Sequence, residues 1–262
     1  MRFLTTQPLW LSGVILIGVA TLLTMAGPVV IRRRVGLDRL AINNEVAGFK
    51  FATVGVLYAV LLAFVVIVVW EKFNDAEIEV AQEAGATATI FRLSEGLSAG
   101  PATALRGSLT RYAKAVIADD WPAMERGGGS SAARQALDGV YATLLTYHPD
   151  DRTGAALLTE ILHQLDLVTQ ARRARLVMAT GAVPGIVWLV LFGGAALTIG
   201  FTFFFGAENL RAQVIMAAAL SVLIFSELLI IVAIDHPFAG TVKVEPDALK
   251  TVVEDFGTTF LR

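Results

Sequence analysis

The chain has 262 residues, of which 55% are hydrophobic and only 17% are charged, and its mean hydropathy is +0.66. A soluble globular protein contains about 45–50% apolar and about 25% charged residues, so this composition excludes a disordered chain and an ordinary soluble enzyme. The chain has no cysteine and a formal net charge of −2. These values exclude disulfides, thiolate metal sites and a broad basic surface for nucleic acid.

Four stretches of the chain are almost free of charge and long enough to cross a membrane. About 20 apolar residues, each advancing a helix by about 1.5 Å, span a hydrocarbon layer of about 30 Å. We therefore predict an all-α membrane protein with four transmembrane helices. Their predicted bounds are 8–31, 51–70, 179–206 and 211–234, and the bilayer part of the third helix is expected to start at Pro184.

Between the second and third spans lies an insert, residues 71–178, that carries 25 of the 44 charged residues. Its apolar residues recur at helical spacings, which predicts a helical domain outside the membrane. No proline follows Trp70 until Pro101, so the second span is expected to continue into the insert as one long helix. The last insert helix is expected to run on into the third span. The arrangement is thus two spans plus two around a helical insert, with a basic connecting loop, 32–50, and a tail, 235–262.

The basic residues near the membrane leave the orientation of the chain open. Six Lys or Arg lie on the side of the 32–50 loop and seven on the side of the insert and the termini. An excess of Lys and Arg marks the cytoplasmic side, and here there is almost none. The run of Arg32, Arg33 and Arg34 would fix the topology or bind anionic lipid headgroups.

No motif in the sequence indicates an enzyme, a cofactor or a metal centre. The chain lacks a phosphate-binding glycine loop, a nucleophile elbow and a zinc-binding histidine pair. The pairs Asp119-Asp120 and Asp150-Asp151 would suit a hard cation, but such pairs are more often solvated helix ends. The run of glycines at 127–129 is typical of a flexible linker.

Two features are candidates for a role in ion permeation. One side of the second span carries a stripe that would form an apolar constriction in a ring of subunits, although helix packing or lipid contact would also explain it. The other is Glu227, a carboxylate within the fourth span, which marks an ion or proton pathway or is a neutral, hydrogen-bonded acid. The members of the stripe are Tyr58, Leu61, Phe64, Val65 and Val68.

Polar residues flank the second span on both sides. Asn43 and Asn44 precede it and would cap its helix. In a channel, they and Glu71, which follows the span, would lie at a pore mouth.

Several blocks of residues together carry a family pattern that extends over nearly the whole chain. The most specific are 58–64 and a tail motif made of Asp235, His236, Pro237, Phe238 and Gly240. Further blocks lie at 43–48, 172–176 and 184–188. These blocks resemble the bestrophin-like domain family of bacterial membrane proteins, which is distantly similar to bestrophin channels.

The resemblance implies a homo-oligomer, a pentamer in true bestrophins, whose second span lines a chiefly anion-selective pore. It further implies that the tail motif is structural and that the protein lies in a bacterial inner membrane. The expected partners are the lipid bilayer, other copies of the chain and permeating ions, with no nucleic acid. The alternative is a non-conducting membrane adaptor or sensor that uses its acidic helical insert as a docking domain.

Overall fold

The structure, a computed structural model, describes residues 8–42, 44–149 and 151–259. Over these residues the chain is helical and contains no β-strand, which confirms the predicted fold class. We number the α-helices in chain order. They are α1 Leu9–Gly13, α2 Ala20–Val35, α3 Leu37–Ala41, α4 Asn44–Leu93, α5 Ala99–Ala115, α6 Trp121–Glu125, α7 Ser131–Leu145, α8 Arg152–Met178, α9 Gly185–Thr202, α10 Leu210–Ile234 and α11 Asp247–Thr259.

The chain folds into two compact units. The first, which we call the membrane unit, contains the chain up to Glu71 together with Gly181–Asp235 and Gly240–Val242. The second, the insert unit, contains Lys72–Thr180, His236–Ala239 and the chain from Lys243 onward.

Four helical stretches are long and apolar enough to cross a membrane. The first is Leu9–Val35, in which the π-helical residues Val14–Val19 join α1 to α2. The other three are α4, α9 and α10. The helix α4 is 50 residues long, because no residue between Asn44 and Leu93 interrupts its backbone hydrogen bonding.

The membrane unit is packed closely where small or polar side chains meet a neighbouring helix. Gly27 of α2 lies against the ring of Phe203, and a Cβ atom at this position would collide with that ring. Ser221 of α10 is fully buried, and its hydroxyl accepts a hydrogen bond from the hydroxyl of Thr24 at 3.2 Å. Small residues and hydroxyl groups of this kind hold helices together where lipid tails remove the hydrophobic driving force.

The predicted continuation of the last insert helix into the third span is wrong. The helix α8 ends at Met178 and α9 begins only at Gly185. Pro184, directly before α9, has no backbone N–H and disfavours helical geometry in the residue that precedes it. The segment before Pro184 is instead held by Asp235, whose carbonyl accepts from the N–H of Ala182 and whose Oδ1 accepts from that of Val183 at 2.8 Å.

The insert unit is built around a hydrophobic core to which the tail contributes a helix. On α7 the core residues Leu137, Val140 and Leu144 recur at helical spacings. The tail helix α11, which the sequence analysis did not predict, adds apolar residues to the same core, and its Phe256 ring stacks on Phe91 with centroids 3.8 Å apart. The residues 243–259 are therefore part of the folded insert unit.

Candidate ion pathway and the residues that support it

The membrane part of α4 is buried within its own chain along only one side. The buried residues are Tyr58, Leu62 and Val69, which follow one another at spacings that share a helix face. Most of the remaining residues are apolar, and they are exposed or half-buried. The large exposed side chains are Val56, Leu57, Val60, Phe64, Ile67, Val68 and Trp70. An apolar surface of this extent requires contact with lipid or with another chain.

Tyr58 makes its contacts within the membrane unit and differs in this from other members of the predicted stripe. Its hydroxyl donates a hydrogen bond to the carbonyl of Leu191 at 2.9 Å, and its ring lies against Gly194. Tyr58 is 7% exposed, whereas Phe64 is 64% exposed and Val68 is 53% exposed. The remaining stripe residues, at 61 and 65, are half-buried. Tyr58 therefore anchors α4 to α9, while Phe64 and Val68 lie on the exposed surface of α4.

Glu227 lies in α10, seven residues before the helix ends at Ile234. Its side chain is half-buried and forms no hydrogen bond or ion pair with the residues that the structure describes. Tyr58 lies near enough to interact with this carboxyl group electrostatically. The carboxyl group thus remains partly accessible at the surface of the membrane unit.

The residues around the 32–50 loop hold the connection between α9 and α10. The side-chain amide of Asn44 donates to the carbonyl of Gly206 at 2.8 Å, and its Oδ1 accepts from the N–H of Gly206 at 2.9 Å. The Arg32 guanidinium donates to the carbonyls of Ala207 and Glu208 at 3.0 and 3.2 Å. Asn44 thus ties the start of α4 to the segment between α9 and α10, and Arg32 ties the end of α2 to the same segment.

The other predicted flanking residues are accessible. Arg33, Arg34 and Glu71 are exposed, and none forms an ion pair within the described parts of the chain. Asn43 lies outside the described residues.

A network of buried charges, which the sequence analysis did not predict, lies in the insert unit. Arg175 and Glu83 are fully buried, with Nε 2.7 Å from Oε2 and Nη2 3.1 Å from Oε1. Both Arg172 Nε and Arg175 Nη2 donate to Asp120 Oδ2, at 2.9 and 3.3 Å. Two guanidinium groups thus neutralise two carboxylates away from solvent, which is the condition under which buried charges are tolerated.

Tyr112 completes this network from α5. Its hydroxyl donates to Glu83 Oε1 at 2.6 Å, and the side chain is fully buried. Burial, the negative charge of Glu83 and the hydrogen bond to it all hold the pKa of the Tyr112 phenol well above its usual value of 10.0, although the nearby Arg175 and Arg172 act in the opposite direction. The phenol is therefore a permanent donor at physiological pH.

The network is continuous with the tail through Trp121. The Arg175 guanidinium lies over the Trp121 ring, 4.8 Å from its centroid, in a cation–π contact. The Trp121 indole N–H donates to the carbonyl of Val244 at 3.1 Å, and its ring meets Phe238 edge to face with centroids 6.0 Å apart. Trp121 thereby joins the charged network to two parts of the tail.

One residue of each acidic pair, Asp120 and Asp151, has a structural role. Asp120 is occupied by arginines, as above, and Asp151 caps α8 by accepting a hydrogen bond from the N–H of Gly154 at 2.6 Å. Asp150 lies outside the described residues. Within the described chain, no group of three or more His, Asp or Glu side chains is arranged to hold a metal ion.

The tail motif takes up tightly packed positions in both units. In the membrane unit, Asp235 is 1% exposed and holds the segment before α9, and Gly240 has a φ of +94°, a conformation that favours glycine. In the insert unit, Phe238 is fully buried, and the carbonyl of Pro237 accepts from the N–H of Val244 at 2.7 Å. His236, which belongs to the insert unit, is also buried.

Comparison with known proteins gives one family. The Bestrophin-like domain model matches residues 18–249. No curated protein sequence matches the chain. A mutant of a bacterial bestrophin homologue from Klebsiella pneumoniae has a similar structure, with a TM-score of 0.73 and 14% identity, over 94% of this chain and 99% of that one. The structure of this homologue solved by Zn-SAD phasing has a TM-score of 0.70 and 14% identity, over 92% and 97% of the two chains. The structural likeness shows a shared fold and the sequence match shows the family: the chain is an integral membrane protein that belongs to the Bestrophin-like domain family.

Proposed function

We propose that the chain is one subunit of a homo-oligomeric ion channel in which α4 lines a central pore. The observation that carries the proposal is the exposed apolar surface on the membrane part of α4, residues 51–70, where the buried side chains are Tyr58, Leu62 and Val69. In a ring of subunits this surface would supply both the pore wall and the contacts between neighbours. The Klebsiella pneumoniae homologue with the same fold is described as a bestrophin homologue, which supports the same reading.

The pore wall is proposed to contain an apolar constriction. Leu61, Phe64, Val65 and Val68 would line it, and Phe64 is the largest exposed side chain among them. A ring of such side chains closes a pore to ions by excluding water from it. Glu71 and Asn43 would lie at the two ends of the pore, and Asn44 would hold the start of α4 through its bonds to Gly206.

The remaining properties follow from this proposal. The protein would assemble with copies of itself, as a pentamer, in the inner membrane of a bacterium, and its ligands would be permeating ions. A channel needs no catalytic residue, cofactor or nucleic acid. Glu227 would contribute to the ion pathway as a partly accessible carboxyl group in α10.

The proposal is tested by ion flux through the full-length protein in liposomes, with separate assays for halide and for monovalent cations. Phe64→Ala is expected to raise the flux, because a smaller side chain widens the constriction and lets water enter. Leu189→Ala is the matched control, because Leu189 of α9 is 69% exposed and lies outside the proposed pore wall. Absence of flux from the wild type across pH, voltage and ion type would contradict the channel and favour the adaptor. Equal effects of the two variants would contradict the pore assignment of Phe64.

A further inference from the structure

A cavity of about 820 Å³ opens in the membrane unit between α3, the start of α4 and the end of α9. Most of its wall is apolar, with Val46, Leu197, Phe201 and Phe204 as the large side chains. Two cationic residues, Arg39 and Lys50, also line it, and no carboxylate does so among the described residues. The cavity therefore combines a mostly apolar wall with the two positive charges of Arg39 and Lys50.

Both cations are available to a ligand. Arg39 and Lys50 are exposed, and neither forms a hydrogen bond or an ion pair with any part of the chain that the structure describes. Arg32, on the same connection, differs because its guanidinium donates to the carbonyls of Ala207 and Glu208. No described carboxylate therefore forms an ion pair with either cation of the cavity.

The cavity lies at the depth of lipid headgroups. Lys50 directly precedes the uncharged run 51–70, and Phe204 follows the end of α9 at Thr202. An uncharged run of this length matches the hydrocarbon core of the bilayer, so its ends lie at the boundary with the lipid headgroups. The two cations therefore lie at this boundary, and the apolar wall of the cavity extends from it into the hydrocarbon core. Lysine and arginine at this boundary attract anionic lipids.

We propose that this cavity binds one anionic phospholipid. Its phosphate would lie between Arg39 and Lys50, and an acyl chain would run along Phe201 and Leu197, towards the interior of the bilayer. The apolar wall selects a lipid over a soluble anion, and the two unpaired cations select a negatively charged headgroup over a zwitterionic one. The site is independent of whether the protein conducts ions.

The cavity can also be filled without disturbing the protein. Gly200 lines the cavity, and a Cβ atom built there meets no other atom within 4 Å. Gly193 lies on the same helix outside the cavity and is equally unobstructed. Gly200→Phe therefore blocks the proposed site while both cations remain, and Gly193→Phe is its matched control.

Native mass spectrometry of the detergent-purified full-length protein tests the site by titration with phosphatidylglycerol, phosphatidylcholine or inorganic phosphate. The wild type is expected to retain phosphatidylglycerol in preference to phosphatidylcholine. Arg39→Gln with Lys50→Gln is expected to weaken that binding by about 30-fold, since each basic residue at the boundary contributes about a fivefold factor. Gly200→Phe is expected to abolish it, and Gly193→Phe to leave it unchanged.

A second double variant tests whether any loss of positive charge near the membrane weakens the binding of an anionic lipid. Arg33→Gln with Arg34→Gln removes two exposed charges outside the cavity and is expected to change the binding less than threefold, an order-of-magnitude limit set by screening. Equal losses from the two double variants, equal retention of both lipids, or retention by Gly200→Phe would each overturn the proposal. Displacement of the lipid by millimolar inorganic phosphate would also overturn it, because it would assign the site to a free anion.

Discussion

The guanidinium of Arg175 donates two hydrogen bonds to the Glu83 carboxylate, at 2.7 and 3.1 Å, and both side chains are completely buried. These residues stand 92 positions apart in the chain. Their pairing joins α4 to α8 within the insert unit, and Asp120 and Tyr112 extend it to two further segments. A bond of this kind is directional, so it specifies one packing of the helices where apolar contacts alone would permit several.

Glu83→Gln should strongly destabilise the insert unit. The change leaves the Arg175 charge buried without its principal carboxylate, and loss of one partner of a buried ion pair costs about 3–5 kcal/mol. We expect a lower unfolding temperature of the detergent-purified protein, followed by tryptophan fluorescence, because Trp121 lies in the network.

The control for Glu83→Gln is Glu95→Gln. Glu95 pairs with Arg106 at 3.5 Å, and its side chain is 63% exposed. Exposed pairs contribute about 0–1 kcal/mol, so a small change is expected. Equal destabilisation by the two variants would show that the buried ion pair contributes no more to stability than the exposed one.

Tyr112→Phe should change how stability depends on alkaline pH. The folded state raises the pKa of the phenol, so folded and unfolded chains are equally protonated below pH 10 and the full contribution of Tyr112 is present there. As the pH rises above the unfolded value, the unfolded chain loses its proton first, and the contribution declines.

The measurement for Tyr112 is the difference in unfolding temperature between wild type and Tyr112→Phe from pH 8 to pH 11, a range chosen around the phenol's reference pKa of about 10. The wild type should be the more stable protein at pH 8, by about 1–3 kcal/mol for a hydrogen bond to a charged group. The advantage should shrink towards the alkaline end. A constant difference across the range would contradict the raised pKa of Tyr112.

Gly194→Ala should disturb the membrane unit at the contact of α4 with α9. A Cβ atom at this position would lie 2.5 Å from the Tyr58 ring, which is too close for any real contact. Forcing extra atoms into a packed site costs about 1–3 kcal/mol. Gly193→Ala, where a Cβ atom meets nothing within 4 Å, should be neutral.

A second substitution distinguishes this collision from a general intolerance of Gly194. Tyr58→Leu removes the ring, so Gly194→Ala should be tolerated better in that background than in the wild type. The wild type, the two single variants and the double variant form a double-mutant cycle. Their unfolding temperatures give the energetic coupling between positions 58 and 194. Additive effects would contradict the contact.

Glu227→Gln should change the ratio of halide flux to cation flux, because α10 is proposed to contribute to the ion pathway. The substitution keeps the size of the side chain and removes its capacity to carry a negative charge. Ser226→Ala, on the same turn, is the control and should leave the ratio unchanged. Both fluxes would be measured in liposomes at a single pH. Identical flux ratios for wild type and Glu227→Gln would remove Glu227 from the pathway.

The membrane helices are the part of the fold that sequence reasoning could reach, because charge is almost absent from them. Pro184 marked the start of the third span, and α9 begins at the next residue. Tyr58 shows the limit of that reasoning. Helical spacing placed it in a stripe with Val68, but spacing cannot tell which side of a helix faces its own chain, and the contact that decides it lies at Gly194.

The sequence contains a pattern that could have predicted the buried network, but counting the charges of the insert as a whole does not reveal it. On α8, Arg172 and Arg175 continue the spacing of Ile161, Leu165 and Val168, which are all in the core. Two arginines on an apolar stripe indicate buried cations, which require carboxylates. Their identity could not be derived from the sequence, since Glu83 and Asp120 come from distant segments. The tail helix had a similar signal in the spacing of its apolar residues.

The packing of the tail into the insert unit has a consequence for biosynthesis. Val244, Leu249 and Phe256 belong to the core of that unit, yet a ribosome produces them only after all four membrane helices. The insert segment therefore emerges before the third and fourth spans are made, and its core is complete only after α11 has left the ribosome. A stop codon after α10 would leave every span intact and would still produce a protein with an unfinished, exposed core.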